Sequence, residues 1–201
     1  MEVFNVKEFL DDKKNIGLIA THLSDIMSLL EIPITESNKD TPYRVAKMWV
    51  TEIFANRNNS NIQVELVDKI KLFPNDYTTG EIIVIKDIPF NSTCEHHWLP
   101  FSGTVSVGYV PSDKIIGLSK VPRVVKYFSK QPQLQEKLTA NIGDFLFDCL
   151  SPYALFVKVS AKHQCVMCRG AESDCTTETY FKKFLSEEYQ KEYEKFGEKL
   201  K

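Results

Sequence analysis

Two short segments gather most of the residues in this chain that are equipped for chemistry. One is Cys94-Glu95-His96-His97, and the other is His163-Gln164-Cys165-Val166-Met167-Cys168. Together they hold three of the four histidines and three of the five cysteines. Thiolate sulfur and imidazole nitrogen are the preferred ligands of zinc. The spacing Cys94-x-x-His97 is that of a zinc half-site, in which a two-residue turn aims both side chains at one point. His96 diverges from that point, because adjacent side chains project in different directions. In the second segment, residues i and i+2 of a strand share a face, which places His163 beside Cys165. Ligation by Cys94, His97 and Cys165 leaves a fourth zinc position open for water, the catalytic pattern, with a histidine alongside to move protons.

A different chemistry fits the same spacing. Cys165-x-x-Cys168 is itself a half-site, so Cys94, His97, Cys165 and Cys168 could close a structural tetrahedron in a non-enzymatic, zinc-stabilised binding module. Spacing alone leaves both readings open. His96 and His163 favour the open site, since a closed one has no use for two further imidazoles, whereas hydrolysis needs a proton donor. Cys149 and Cys175 read as ordinary small apolar residues. Arg44, Lys47, Lys120, Arg123 and Arg169 stand near the starts of predicted elements. Gly117-Leu118-Ser119-Lys120 ahead of a helix suits an anion, because free N–H groups and the helix dipole favour phosphate. Taken singly, each of these cations reads as a solvated side chain.

These residues need elements to position them. From Asn15 to Leu30 the apolar residues Ile16, Ile19, Ala20, Leu23, Ile26, Met27 and Leu30 recur at helical spacing, with Asp11 or Asp12 as the cap. Pro33 lies in a loop. Asp40-Thr41-Pro42 then signals a second helix, continued by Val45, Met48, Trp49 and Ile53 and broken at Asn56 to Asn61. Glu81 to Asp87 and Gly103 to Val110 alternate and are rich in β-branched residues, so they read as strands; the pattern stops between Asn91 and Pro100. Pro111 to Lys114 reads as a turn. A short helix is predicted from Ser119 to Ser129. A longer one runs from Pro132 to Cys149, with Leu134, Leu138, Ile142, Phe145 and Leu146 inward. Strands follow at Leu155 to His163 and Thr176 to Phe181, and the charged tail from Ser186 reads as a peripheral helix. The order implies an α+β fold, an antiparallel sheet with helices packed on one face, preceded by an N-terminal helical segment. The division expected is residues 1–60 for that segment and 61–201 for the catalytic domain.

Bulk properties exclude some partners. The chain has 201 residues and a formal net charge of −2, so no global basic field points to nucleic acid or to a membrane surface. No apolar run approaches the ~20 residues of a membrane span. The N-terminus lacks a signal-peptide pattern, and an odd number of cysteines argues against a disulfide framework, so a cytoplasmic address is expected.

Cys94-Glu-His-His97, Gly117-Leu-Ser-Lys120 with Arg123, Gln133-Leu-Gln-Glu136-Lys-Leu-Thr139 and His163-x-Cys165 followed by Arg169-Gly170 resemble, in order and spacing, the type I GTP cyclohydrolases. Asp40-Thr-Pro-x-Arg44-Val-Ala-Lys47 is similar to that family's N-terminal helical segment, and the resemblance spans about residues 15 to 170. It implies the tunnelling fold and a toroidal homodecamer with sites at subunit interfaces. The implied zinc ligands are Cys94, His97 and Cys165, and the implied catalytic histidines are His96 and His163. Contacts to the triphosphate are implied for Arg44, Lys47, Ser119, Lys120, Arg123 and Arg169, some of them reaching a neighbouring subunit's site. Glu136 is implied to read guanine, with Gln135 beside it and Glu95 in the same active-site loop. The implied reaction is zinc-dependent hydrolysis of GTP at C8, with ring opening, formate release and rearrangement to 7,8-dihydroneopterin triphosphate. After Gly170 the chain departs from the family: relatives run through threonines to a Leu-Gly-Gly turn, whereas here the sequence is Thr176-Thr-Glu-Thr-Tyr-Phe-Lys-Lys-Phe184.

Overall fold

In the computed structural model, residues 12–57, 66–67, 69–76 and 81–200 are described, and the chain divides into two compact units between Ala55 and Asn56. In the first unit, helix α1 (Asp12–Leu29) turns its stripe of Ile16, Ile19, Ala20 and Leu23 onto Ala46 and Val50. Ala46 belongs to α2 (Thr41–Met48), which carries Pro42 in its first turn and runs on into a π-helical turn, Trp49–Ile53. Asp40 occupies the cap position of α2 without bonding the helix N–H groups; its carboxylate lies 3.7 Å from Arg44. Asp11 lies outside the described residues, and Asp12 is the first residue of α1.

The second unit is built on a five-stranded sheet. Two short strands, β1 (Leu72–Pro74) and β4 (Lys114–Ile116), pair apart from it. In the main sheet β2 (Ile83–Cys94) pairs with β3 (Pro100–Val110), β3 with β6 (Ala154–His163), and β6 with β7 (Thr177–Phe184), all antiparallel. The two-residue β5 (Pro132–Gln133) joins β2 in parallel, giving the order β5-β2-β3-β6-β7. One face follows from period-two alternation: Phe101, Val105, Val107 and Tyr109 of β3 and Leu155, Val157, Val159 and Ala161 of β6 are buried in a single core. That core is closed by α3 (Lys120–Ser129) and α4 (Gln135–Leu150), which contribute Val121, Val124, Val125 and Phe128, and Leu138, Ile142, Phe145 and Leu146. At Gly103 the strands approach so closely that a Cβ would collide with the Ser160 carbonyl. The α+β arrangement with helices against one sheet face is the one expected.

Several expectations are corrected in detail. The strand pattern was expected to stop at Asn91, yet β2 continues to Cys94 and β3 resumes at Pro100, because Asn91, Ser92 and Thr93 find ladder partners in Ser102, Phe101 and Pro100. The long helix begins at Gln135 rather than Pro132, since Pro132 and Gln133 are committed to β5; Leu134 is the extended cap residue, 36% exposed, and is not inward. After His163 the chain leaves the sheet and forms a single turn, α5 (Gln164–Met167). The tail is not peripheral. Its helix α6 (Gln190–Lys199) buries Phe196 to 1% exposure against Val110, Ala154 and Phe156 on the opposite sheet face, with Tyr193, Tyr189 and Leu200 around it. A charged composition hid this packing because one fully buried aromatic can anchor a short helix.

Truncating that anchor should show. Phe196→Ala is expected to cost about 3 kcal/mol or more of stability, as for other buried phenylalanines. Chemical denaturation followed by circular dichroism measures it, and a loss below about 1 kcal/mol would mean that α6 does not cover the sheet.

Candidate metal centre and active site

The β2–β3 hairpin sets the position of the first cluster. Its loop is closed by Cys94 N–H donating to the Leu99 carbonyl at 2.9 Å and Trp98 N–H donating back to the Cys94 carbonyl at 2.9 Å. Trp98 takes a left-handed backbone conformation, φ 54°, to complete the turn. The result buries Cys94 and leaves Glu95, His96 and His97 exposed. The second cluster arrives from β6, whose last residue, His163, stands opposite Phe101 in the ladder. Cys165 follows on α5, so it reaches the hairpin loop from a helical turn and not as the next inward residue of a strand, which corrects the i, i+2 argument.

Cys94, His97 and Cys165 come together: one ligand atom from each lies within 4.8 Å of the other two. The Cys94 sulfur is 3.8 Å from Nδ1 of His97. A tetrahedral zinc with ordinary bond lengths holds sulfur and nitrogen about 3.6 Å apart and two sulfurs about 3.8 Å apart, so the donor set fits such an ion in both chemistry and spacing. Burial and the adjacent Cys94 thiol push the Cys165 thiol up, while the positive charge of Arg169 opposes them. A dication among these three groups would favour both thiolates. Cys168 is not part of the group: it is exposed, and its thiol donates to the Gln164 carbonyl at 2.8 Å. The closed four-ligand reading gains no support from this geometry. Cys149 packs half-buried beside the core, but Cys175 is exposed rather than a small core residue.

His163 stands next to the group and is held on two sides. Its ring stacks on Phe101, with centroids 4.7 Å apart and planes 2° from parallel. Its Nε2 is 2.8 Å from Oε1 of Gln135. Burial pushes the imidazole pKa down, and the nearby Glu136 carboxylate partly offsets this. Gln135 was expected beside the substrate; instead it is 2% exposed, and its amide nitrogen donates to the Val159 and Thr177 carbonyls. Glu136, one residue on, is exposed at the start of α4. Strand β5 puts it there, since Gln133 pairs with Cys94 and accepts from the Glu95 N–H at 3.3 Å, two residues before α4 begins.

The remaining candidates are exposed, except for Lys120, which is half-buried. Ser119 caps α3 without a side-chain bond to it, Lys120 and Arg123 lie in that helix's first turn, and Arg169 follows α5. Arg44 and Lys47 are exposed on α2 in the separate N-terminal unit. The His96 ring lies 6.2 Å from that of His97 at 89°, and His96 is not one of the three grouped ligands. Sequence reasoning missed Phe101, Thr139 and Thr179 as supports of the site. A legible signal existed for Thr139 and Gln135: both are polar residues on the inward stripe of α4, where a polar group needs a partner.

A family model for GTP cyclohydrolase I matches residues 19–199. The chain belongs to the GTP cyclohydrolase I family. Curated GTP cyclohydrolase 1 proteins of Salmonella choleraesuis (strain SC-B67) and Salmonella arizonae are 39% identical to it over 171 residues, spanning 85% of this chain and 74% of theirs. A member of the GTP cyclohydrolase I family is a hydrolase acting on GTP, and the resemblance seen in the sequence is thereby confirmed. Among solved structures, the archaeosine synthase QueF-Like in the apo form aligns with a TM-score of 0.43 at 17% identity, covering 51% of this chain and 92% of that one. Dihydroneopterin aldolase from Burkholderia thailendensis bound to guanine aligns at 0.37 and 10% identity, covering 56% and 98%. Likenesses at those scores carry no functional weight. No described helix is long and apolar enough to cross a membrane.

Adding a dication to metal-depleted protein is expected to protect Cys94 and Cys165 from alkylation while Cys168 and Cys175 stay reactive. Mass spectrometry of the modified peptides reads this directly. Equal labelling of Cys165 with and without metal would count against the cluster as a metal centre.

Proposed function

We propose that this GTP cyclohydrolase uses zinc held by Cys94, His97 and Cys165 to hydrolyse GTP at C8, releasing formate and yielding 7,8-dihydroneopterin triphosphate. The observation that carries the reading is the convergence of those three ligand atoms beside His163, in a chain of this family. When bound, zinc lowers the pKa of a water and so supplies a nucleophile near neutral pH. The rest falls to the protein's own side chains. C8 of guanine is a poor electrophile until N7 takes a proton, and His163, fixed by Phe101 and Gln135, is the proposed donor. His96, exposed on the same hairpin loop, is the second proposed proton-transfer group.

Recognition of the base is assigned to Glu136, whose carboxylate can accept from the guanine N1–H and exocyclic amine together; adenine presents no such donor pair. Glu95 lies in the same loop as His96. The triphosphate is assigned to Ser119, Lys120, Arg123 and Arg169, together with Arg44 and Lys47. Arginine suits this task because its planar fork bonds phosphate oxygens in pairs. The proposed assembly is a homodecamer of two pentameric rings, in which some of these cations serve a neighbouring chain's site. The proposed location is the cytoplasm, and the proposed pathway is pterin or folate-type biosynthesis.

Zinc-loaded protein given GTP is expected to release formate and a fluorescent pterin. Formate without pterin would restrict the reading to hydrolysis, and no formate from assembled, zinc-containing protein would overturn it. His163→Ala should slow formate release roughly 10²- to 10⁴-fold, the usual contribution of a positioned acid or base. Glu136→Ala should raise the KM for GTP at least about tenfold, the equivalent of one or two lost charged hydrogen bonds; an unchanged KM removes its role in reading guanine.

A further inference from the structure

The residue that reaches His163 from α4 is the most constrained polar side chain near the site. Gln135 is 2% exposed, and all of its amide is engaged. Its Nε2 lies 3.1 Å from the Val159 carbonyl, 3.0 Å from the Thr177 carbonyl and 3.2 Å from Oγ1 of Thr179. Carbonyl oxygens only accept, so the nitrogen must be the end that faces β6 and β7. Turning the amide over would set its oxygen against two other carbonyl oxygens in a buried place and leave those carbonyls without the amide hydrogens.

The threonines close the argument. Thr139 Oγ1 donates to the Gln135 backbone carbonyl at 2.8 Å, which uses its single hydrogen. Its contact of 2.6 Å with Thr179 Oγ1 must then be donated by Thr179. With that hydrogen spent, Thr179 faces the Gln135 nitrogen as a third acceptor, and the two amide hydrogens are shared among it and the two carbonyls. Each member thus dictates the orientation of the next, and Oε1 of Gln135 is left facing Nε2 of His163 at 2.8 Å. An amide oxygen can only accept, so His163 must carry its proton on Nε2.

We infer that Gln135 is a positioning residue that, locked by Thr139, Thr177 and Thr179, holds His163 in the Nε2–H form and turns Nδ1 toward its proton-transfer partner. This rests on the reading of His163 as the residue that moves protons. Stacking on Phe101 fixes the ring plane, and the bond to Gln135 fixes rotation within it; both freedoms that could misdirect Nδ1 are removed. The inference reassigns Gln135, which the family resemblance places beside the substrate.

A double-mutant cycle on the assembled, zinc-loaded enzyme tests it, with formate from GTP radiolabelled at C8 as the readout. Gln135→Met is expected to lower kcat roughly ten- to a hundredfold, the scale of a misaimed catalytic group. KM should stay within about twofold, and in a His163→Ala background the same change should have no further effect. A raised KM with unchanged kcat would overturn the inference in favour of direct substrate contact. Equal losses in both backgrounds would overturn it in favour of a purely structural role. Thr179→Val, which touches neither His163 nor Glu136, gives the cycle a second arm if Gln135→Met does not assemble; it should act in the same direction, and again only when His163 is present.

Solid-state nitrogen-15 spectra of histidine-labelled protein report the tautomer itself. A neutral His163 protonated on Nε2 is expected, and one protonated on Nδ1 overturns the inference. Should His163→Ala keep wild-type formate release, the proton-transfer reading falls by that single variant, while the spectrum still decides whether Gln135 sets the ring.

Discussion

The register of three antiparallel strands governs everything near the site. Ser92, Phe101 and His163 stand in one row across β2, β3 and β6, and all three strands end within two residues of it: β6 at His163 itself, β3 at Pro100 and β2 at Cys94. The hairpin loop with Cys94 and His97 and the helical turn with Cys165 therefore emerge at the same edge, and their ligand atoms meet within 4.8 Å. A slip of one residue in either pairing would move His163 and Phe101 to the face covered by α6 and carry Cys165 away from Cys94. What prevents the slip is the alternation itself. Phe101, Val105, Val107 and Tyr109 must face α3 and α4 together with Leu155, Val157, Val159 and Ala161, and His163 is the next residue of that inward series.

That dependence explains which features were legible in the sequence. Ligand spacing is local, so Cys94-x-x-His97 could be read without knowing the sheet. Strand β6 was also legible, because its period-two alternation and β-branched residues are its own. The continuation of β2 to Cys94 was not, since Asn91, Ser92 and Thr93 have no strand pattern and are held there by partners on β3. The start of α4 was misread for a related reason: Pro132 and Gln133 are claimed by a parallel pairing with Thr93 and Cys94 that no local signal announces. Phe196 was overlooked because burial of one aromatic in a charged helix is a tertiary fact. Spacing alone left Cys165 and Cys168 equivalent, because only the turn of α5 brings one to the Cys94–His97 group and leaves the other on the Gln164 carbonyl.

The short strand β5 shows how economical the positioning is. Two backbone pairings tie the chain just ahead of α4 to the last residues of β2, and the Glu95 N–H donates to the Gln133 carbonyl. The hairpin loop and the start of α4 are thereby fixed to each other through the backbone, and the Gln133 amide adds a bond to Ser92 Oγ at 3.0 Å. Whatever Glu136 binds is consequently held at a set distance from Cys94, and side-chain substitutions in the loop leave that distance to the backbone. Catalysis by orientation demands this kind of rigidity, because a displacement of about 1 Å can cost two orders of magnitude in rate.

Around His163 the core gives up apolar packing for polar order. Gln135 and Thr139 occupy positions on α4 that larger apolar residues would fill with less risk, since a half-satisfied buried network is worse than none. Here the bonds to Val159, Thr177, Thr179 and His163 leave neither end of the Gln135 amide without a partner. The segment after Gly170 supplies Thr177 and Thr179 to this network from β7. From Tyr180 onward β7 serves the sheet, pairing Phe181 with Val157 and Phe184 with Ala154. One strand divides its labour, with its first half orienting a histidine through a glutamine and its second half closing a core.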